Sequence, residues 1–281
     1  MNYRILADSS ANLLALEGAD FVSVPLKIIT DKKEYVDDGA LDVDAMVADL
    51  AEYKGRSGSS CPNIQDWLDA FAGSDGIFAV TITSGLSGSY ASAMQAKDAY
   101  EKEHPGARVH VIDSLSAGPE LQLIVERLRE MISQGLSFEA IRDTIGQYGR
   151  HTHLLFSLES MKNLARNGRA SHAAATIAGV LGIRVIGRAS EAGTLEMLHK
   201  CKGSKRTLRT IYDTMVGQGY AGGRVRIAEC QNPDGAEALR ARLLQTWPEA
   251  DVKIVPCRGL CAFYAESGGL MIGYEGQDSA V

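Results

Sequence analysis

Through the first half of the chain, short β-branched runs alternate with longer segments of helical spacing. YRILA, FVSVPLKII, IFAVTIT and RVHVI read as strands. Around them, apolar residues recur at helical intervals over Val43 to Glu52, Ile64 to Ala72, Ser89 to Glu103 and Pro119 to Gln134, which predicts four helices. Strands that alternate with helices return to one sheet in one direction, so the pattern predicts βαβ units and a mostly parallel sheet. SFEAIRDTIGQYGR adds a helix opened by Ser137 as N-cap, with Ala140 behind it, and closed near Gly149. A domain boundary is expected near residue 150.

The second half begins with the strand HTHLLFSL, a helix around Met161 to Arg166 and the small-residue stretch SHAAATIAGVLG. The strands IRVIG and TLEMLHK follow, then the helix SKRTLRTIYDTMVGQG, the strand RVRIAEC, the helix DGAEALRARLLQTW and the strand DVKIVPC. Consecutive strands favour antiparallel pairing, so a mixed sheet is expected here. LCAFYAESGGLMIGYE is expected to close the chain as a hairpin turning at Ser-Gly-Gly. The fold class is therefore α/β, with a parallel-sheet N-terminal domain over residues 1–150 and a mixed-sheet α/β C-terminal domain over residues 151–281. A chain of 281 residues is longer than one hydrophobic core usually spans, which agrees with two domains.

Composition narrows the function classes. The formal net charge of -6 is spread along the chain, which argues against a nucleic-acid binder, since phosphate neutralisation needs concentrated Lys and Arg. No stretch is long and uncharged enough to read as a membrane span. MNYRILADSS runs directly into a strand pattern without a basic region and apolar core, so a cytoplasmic protein is the expectation. The five cysteines are odd in number and mostly isolated, so they read as reduced thiols. Cys257 and Cys261 form a C-x3-C pair with no second pair or nearby histidine, and no metal site is expected. His151 and His153 alternate on one strand face, in an ordinary surface or core role.

The chemistry-bearing residues gather where predicted strands end. YRILA runs into Asp8-Ser9-Ser10, IFAVTIT into Ser84-Gly85-Leu86-Ser87-Gly88-Ser89, and RVHVI into Asp113-Ser114-Leu115-Ser116-Ala117-Gly118. In a parallel sheet these loops share the carboxyl edge, where ligands settle. A fourth hydroxyl cluster, Ser57 to Asn63, precedes a helix and joins them. Each serine alone is explained as a helix cap or turn residue; their convergence points to a ligand. A nucleophile elbow needs G-x-S-x-G, and Ser87 misses it because Ser89 stands in the second glycine's place. The P-loop lysine and the G-x-G-x-x-G dinucleotide pattern are also absent. What remains is a helix N-terminus with free N–H groups and several hydroxyls, which suits an anion. No Lys or Arg falls within these loops, so a carboxylate fits better than a polyphosphate. Ala91, Ala93 and Ala96, with SHAAATIAGVLG, are candidates to line an apolar channel behind it.

In order, the blocks ILADSSANL, PLKI, SSCPNIQDW, TSGLSGSYASA, VIDSLSAGPE, LARNGRAS, IRVIG and KCKGSKRTL resemble the DegV family of bacterial fatty-acid-binding proteins, whose kinase-associated members are the FakB proteins. The resemblance implies two α/β domains with one long-chain acyl molecule buried between them. It implies that the carboxylate is held by hydroxyls of two motifs, T-S-Q-P-S and S-S-x-L-S-G-T-Y. These read here Ser59-Ser60-Cys61-Pro62-Asn63 and Thr83 to Tyr90. By that carry-over Ser59 takes the place of the motif threonine, and Ser84 matches the serine that donates to the carboxylate. Ser60 belongs to the same cluster, while Ser87 and the Gly88 N–H shape the loop.

The resemblance further implies a non-catalytic protein without a cofactor, which presents its fatty acid to a separate fatty acid kinase for acyl-phosphate formation. Lys200, Lys202, Lys205 and Arg206 resemble the basic stretch facing that partner. The family's C-terminal T-H-T-G-P-G motif, with its head-group histidine, is replaced by Phe263 to Gly269, where Tyr264, Glu266 and Ser267 are candidate substitutes. The alternative is a serine-dependent enzyme acting on a small acyl or carboxylate substrate through Ser84 or Ser87.

Overall fold

The computed structural model describes residues 3–171 and 182–276. Strands β1 (Tyr3–Asp8), β2 (Asp20–Val24), β6 (Gly76–Thr81) and β7 (Arg108–Asp113) form a wholly parallel sheet in the order β2-β1-β6-β7. Strand alternation divides their apolar side chains between two faces. Ile5, Ala7, Phe78 and Val80 pack against α4 (Pro119–Ser133) and α5 (Phe138–Arg150). Leu6, Ile77 and Ala79 pack against α2 (Ile64–Phe71) and α3 (Ser89–Glu103). Ala93 and Ala96 lie in this second layer and Ala91 is exposed, so these alanines allow close helix-to-sheet packing and line no channel. Helix starts follow local chemistry: Asn63 and Asp66 make a reciprocal capping box, and Ser137 Oγ accepts the Ala140 N–H at 3.2 Å. Apart from its ends, Ser171 and Gly182, the stretch SHAAATIAGVLG lies outside the described residues.

FVSVPLKII does not form the single strand its composition predicts. It breaks at Pro25, which has no N–H for a ladder, and the next donor, Leu26 N–H, is taken by Ser9 Oγ at 3.0 Å. The second piece, β3 (Lys27–Thr30), joins β4 (Glu34–Val36) and β5 (Ser57–Ser60) in a separate antiparallel sheet, order β4-β3-β5. The hydroxyl cluster expected in a loop is thus partly a strand, with Ser59 paired to Ile28 and Ser60 to Lys27.

The mixed sheet has six strands in the order β10-β9-β8-β13-β11-β12. These are β8 (Thr152–Leu158), β9 (Ile183–Ala189), β10 (Leu195–Lys202), β11 (Val225–Glu229), β12 (Val252–Pro256) and β13 (Leu270–Glu275). Only β11 and β12 pair in parallel. Helix α6 (Lys162–Arg166) follows β8, while α7 (Ser204–Gly217) and α8 (Pro233–Thr246) cover the sheet. The expected C-terminal hairpin is absent: residues 259–265 form helix α9 (Gly259–Ala265), and β13 pairs instead with β8 and β11. LCAFYA is apolar without alternation, and all but Tyr264 in this helix are buried, so it behaves as a core helix. The Asp37 carboxylate, itself buried, accepts the Gly259 and Leu260 N–H groups at 2.9 Å each and supplies the cap the sequence hides.

Helix α4 joins the parallel sheet to the mixed one. Gly273 on β13 has no side chain because a Cβ there would stand 2.5 Å from the backbone of Pro119 and Glu120. Further along α4, Glu126 takes two bonds from the fully buried Arg226 of β11, at 2.9 and 2.6 Å, and Arg226 also reaches Asp251 at 2.7 Å. Charges taken out of water are tolerated only when paired, so losing one partner strands the other. Glu126→Ala is therefore expected to cost about 3–5 kcal/mol in urea unfolding, with Asp251→Ala costing much less, because Asp251 is itself half-exposed and its loss leaves Arg226 paired to Glu126.

Candidate functional site

At the carboxyl edge of the parallel sheet, α9 and the mixed sheet enclose a cavity of about 260 Å³. Its walls are apolar: Leu154, Phe156 and Leu158 project from one face of β8, with Leu164, Leu195, Met271, Leu26, Ile82 and Leu260 around them. The polar lining is Ser10, Ser59, Ser60, Ser87, Gly88, Arg169 and Tyr264, with Cys61 and Cys261 beside them. These groups are contiguous. Ser59 Oγ lies 2.7 Å from Tyr264 OH, a Cβ on Gly88 would stand 3.3 Å from Cys61 Sγ, and Arg169 Nε donates to Leu86 O at 3.2 Å. An apolar cavity with a few convergent polar groups has the make-up of a small-molecule site.

The three strand-end loops share one edge, as the parallel order requires. Asp8 accepts the Ile82 N–H at 2.9 Å and the Ser89 hydroxyl at 2.6 Å; Asp113 accepts the Ser84 N–H at 3.1 Å; Thr83 N–H donates to Ser116 O at 2.8 Å. Ser87 Oγ accepts the Ser89 N–H at 3.3 Å, which leaves its own proton for the cavity, and no side chain caps α3 at Gly88. Ser84 is exposed and does not line the cavity. Glu266 accepts the Asn163 N–H at 3.1 Å and Ser267 is exposed; neither lines the cavity, whereas Tyr264 does. Lys200, Lys202, Lys205 and Arg206 are exposed, at the end of β10 and the start of α7. Among the described residues no histidine lines the cavity. Cys257 and Cys261 are buried thiols, both pushed up by desolvation away from the reactive thiolate form.

Comparison with known proteins identifies the family. A family model described as "Uncharacterised protein, DegV family" matches residues 2–276. The chain belongs to the DegV family. A DegV domain-containing protein of Streptococcus pneumoniae is 47% identical over 279 residues, covering 98% of this chain and 99% of that protein. Among solved structures, a DegV family protein from Eubacterium eligens loaded with heptadecanoic acid superposes with a TM-score of 0.96 at 45% identity, covering 98% of this chain and all of that one. The Fatty Acid Kinase (Fak) B3 protein of Streptococcus pneumoniae, loaded with linoleic acid, gives a TM-score of 0.96 at 47% identity over 99% of this chain and 100% of its own.

Arg169 is the cavity residue of this DegV chain that sequence reasoning passed over. The loops themselves hold no cation, but Arg169 reaches the cavity from the end of α6. Gly168, at φ 74°, closes that helix with Gly168 N–H to Ala165 O at 3.1 Å and Arg169 N–H to Leu164 O at 2.8 Å. This is the Schellman pairing, and the Asn-Gly after the helix was its signal.

A second overlooked group is Glu120, buried in the first turn of α4, three residues beyond the cavity-lining Ala117. Desolvation pushes its carboxyl up to about 7, against hydrogen bonds from Ser116 and Thr152. Thr152 Oγ1 donates to Glu120 Oε1 at 2.8 Å and also lies 3.0 Å from Gly149 O, so its single proton is shared between two acceptors and offsets the burial of Glu120 only in part. The folded protein thus retains a proton that the unfolded chain releases near 4.5. Its contribution to stability is complete below that value and is lost as pH rises through about 7. Desolvation moves Asp8 and Asp37 in the same direction. Unfolding free energy is expected to fall between pH 5 and pH 7 by up to about 1.4 kcal/mol per pH unit for Glu120 alone, and Glu120→Gln is expected to flatten that slope in urea titrations at both pH values.

Proposed function

We propose that this protein binds one long-chain fatty acid in the cavity between the parallel and mixed sheets and presents its carboxylate at the serine loops. The observation that carries the reading is the division of one cavity into an apolar wall and a contiguous hydroxyl cluster with a single arginine. Aliphatic side chains from β8, β10, β13 and α6 offer a methylene chain contacts that remove it from water. The Ser87 hydroxyl, the uncapped start of α3, the Ser59–Tyr264 pair, Ser60 and Arg169 supply donors for a carboxylate. Tyr264 thereby fills the place of the family's histidine loop. The heptadecanoic and linoleic acids carried by the two DegV structures are ligands of this class.

In this reading the protein is a carrier and not the catalyst. Residues 1–150 supply the serine loops; residues 151–281 cover the chain and contribute Arg169 and Tyr264. The carboxylate is handed to a fatty acid kinase, which the exposed Lys200, Lys202, Lys205 and Arg206 are suited to face. Denaturing extraction followed by mass spectrometry is expected to release about one equivalent of free fatty acid per chain; a protein that is empty and takes up no added acid contradicts the proposal. Ser87→Ala removes a donor to a buried charge and is expected to weaken fatty-acid binding by about 1.5–3 kcal/mol, roughly tenfold or more. Ser84→Ala, at an exposed site, is expected to change it by less than about 0.5 kcal/mol. The reverse order of effects in a displacement titration moves the head group to Ser84.

A further inference from the structure

Asp8 is fully buried at the end of β1, and all of its hydrogen-bond donors are neutral. It accepts the Ser10 N–H at 3.2 Å, the Ser10 hydroxyl, the Ile82 N–H at 2.9 Å and the Ser89 hydroxyl at 2.6 Å. Four donors fill the lone pairs of one carboxylate, so none is left for the cavity. Each donor belongs to a segment that meets the proposed ligand. Ser10 and Ile82 line the cavity themselves. Ser89 stands behind the two that carry the head-group contacts, Ser87 and Gly88, and its N–H donates to Ser87 Oγ at 3.3 Å. The path from Asp8 to the cavity is therefore short: the carboxylate holds Ser89 by its hydroxyl, and Ser89 holds Ser87 by its amide. With one lone pair of Ser87 Oγ occupied from behind, its proton is free to turn toward the cavity. A buried carboxylate is an expensive way to join two loops that apolar contacts could hold, but only a fixed acceptor sets the direction of hydroxyl protons.

We propose that Asp8 is a positioning residue for the acyl head group, acting through Ser89 to aim the Ser87 hydroxyl at a carboxylate. The inference rests on the fatty-acid reading above. Its test compares two ligands with one chain: oleic acid, which presents a carboxylate, and methyl oleate, which does not. Dissociation constants for both are measured on delipidated wild type, Asp8→Asn and Ser89→Ala. Each substitution is expected to weaken oleic acid about tenfold while changing methyl oleate less than about twofold, because chain contacts are untouched. Equal losses for the two ligands make Asp8 a structural residue only and overturn the inference, as does an unchanged affinity for oleic acid. Ser89→Ala removes no charge, so it carries the same comparison if Asp8→Asn does not fold. A wild type that binds neither ligand overturns the fatty-acid reading and this inference with it, whereas wild-type binding with insensitive variants overturns this inference alone.

Discussion

The contact of α4 with β13 at Gly273 is the constraint on which the cavity depends. A helix N-terminus pressed onto a strand, with no Cβ between them, brings the parallel sheet's carboxyl edge close enough to the mixed sheet for one enclosed space to form. The residue before that helix, Gly118, has φ 63°, and a Cβ on it would stand 2.5 Å from Met271 Cε. Two glycines, one on each side, thus set the separation. The loop leading into α4 then holds the serine loop through Ser116 O and Thr83 N–H. Farther along, the Glu126–Arg226 pair fixes the helix direction. Spacing comes from the glycines and orientation from the ion pair.

Elements were legible where one periodicity ran long enough to exclude another. Helices α3 and α5 begin at the residues their spacing and caps predict, and the β1, β6 and β7 runs are parallel because helices intervene between them. What was hidden lacks periodicity. Ser57 to Ser60 carries no β-branched residue, and it is a strand because Lys27–Thr30 needs a partner on that side. LCAFYA has the composition of a buried strand, and its helical state depends on Asp37, more than 200 positions away. Long-range caps leave no local trace.

The candidate site divides in the same way. The convergence of hydroxyl loops followed from the sheet order alone, because strand direction decides which ends are neighbours. Which serine faces inward did not, because Ser84 and Ser87 lie within one turn of chain. The Thr83 carbonyl, accepting both the Leu86 and Ser87 N–H groups, curls the loop so that Ser84 stays outside. A Cβ on Gly85 would stand 2.9 Å from Gly193 O, so the turn between β9 and β10 presses on this curl from the other half of the chain. Arg169 was invisible as a neighbour for the same reason: it is placed by a helix end that only the folded chain brings to the cavity.

The charge arrangement around the cavity gives the anion its character. Asp8 and Asp37 are carboxylates buried against the cavity walls with donors mainly from N–H and hydroxyl groups, and Arg169 is the cation among the described lining residues. A further negative charge entering this region is opposed by these two and favoured by one guanidinium, several hydroxyls and the start of α3. That balance suits a single charge spread over two oxygens, held by directed hydrogen bonds, far better than a polyphosphate with several. The hydroxyl-rich design follows from it: where cations are scarce, the direction of each O–H decides how well the anion is held, and direction is what the buried carboxylate at position 8 supplies.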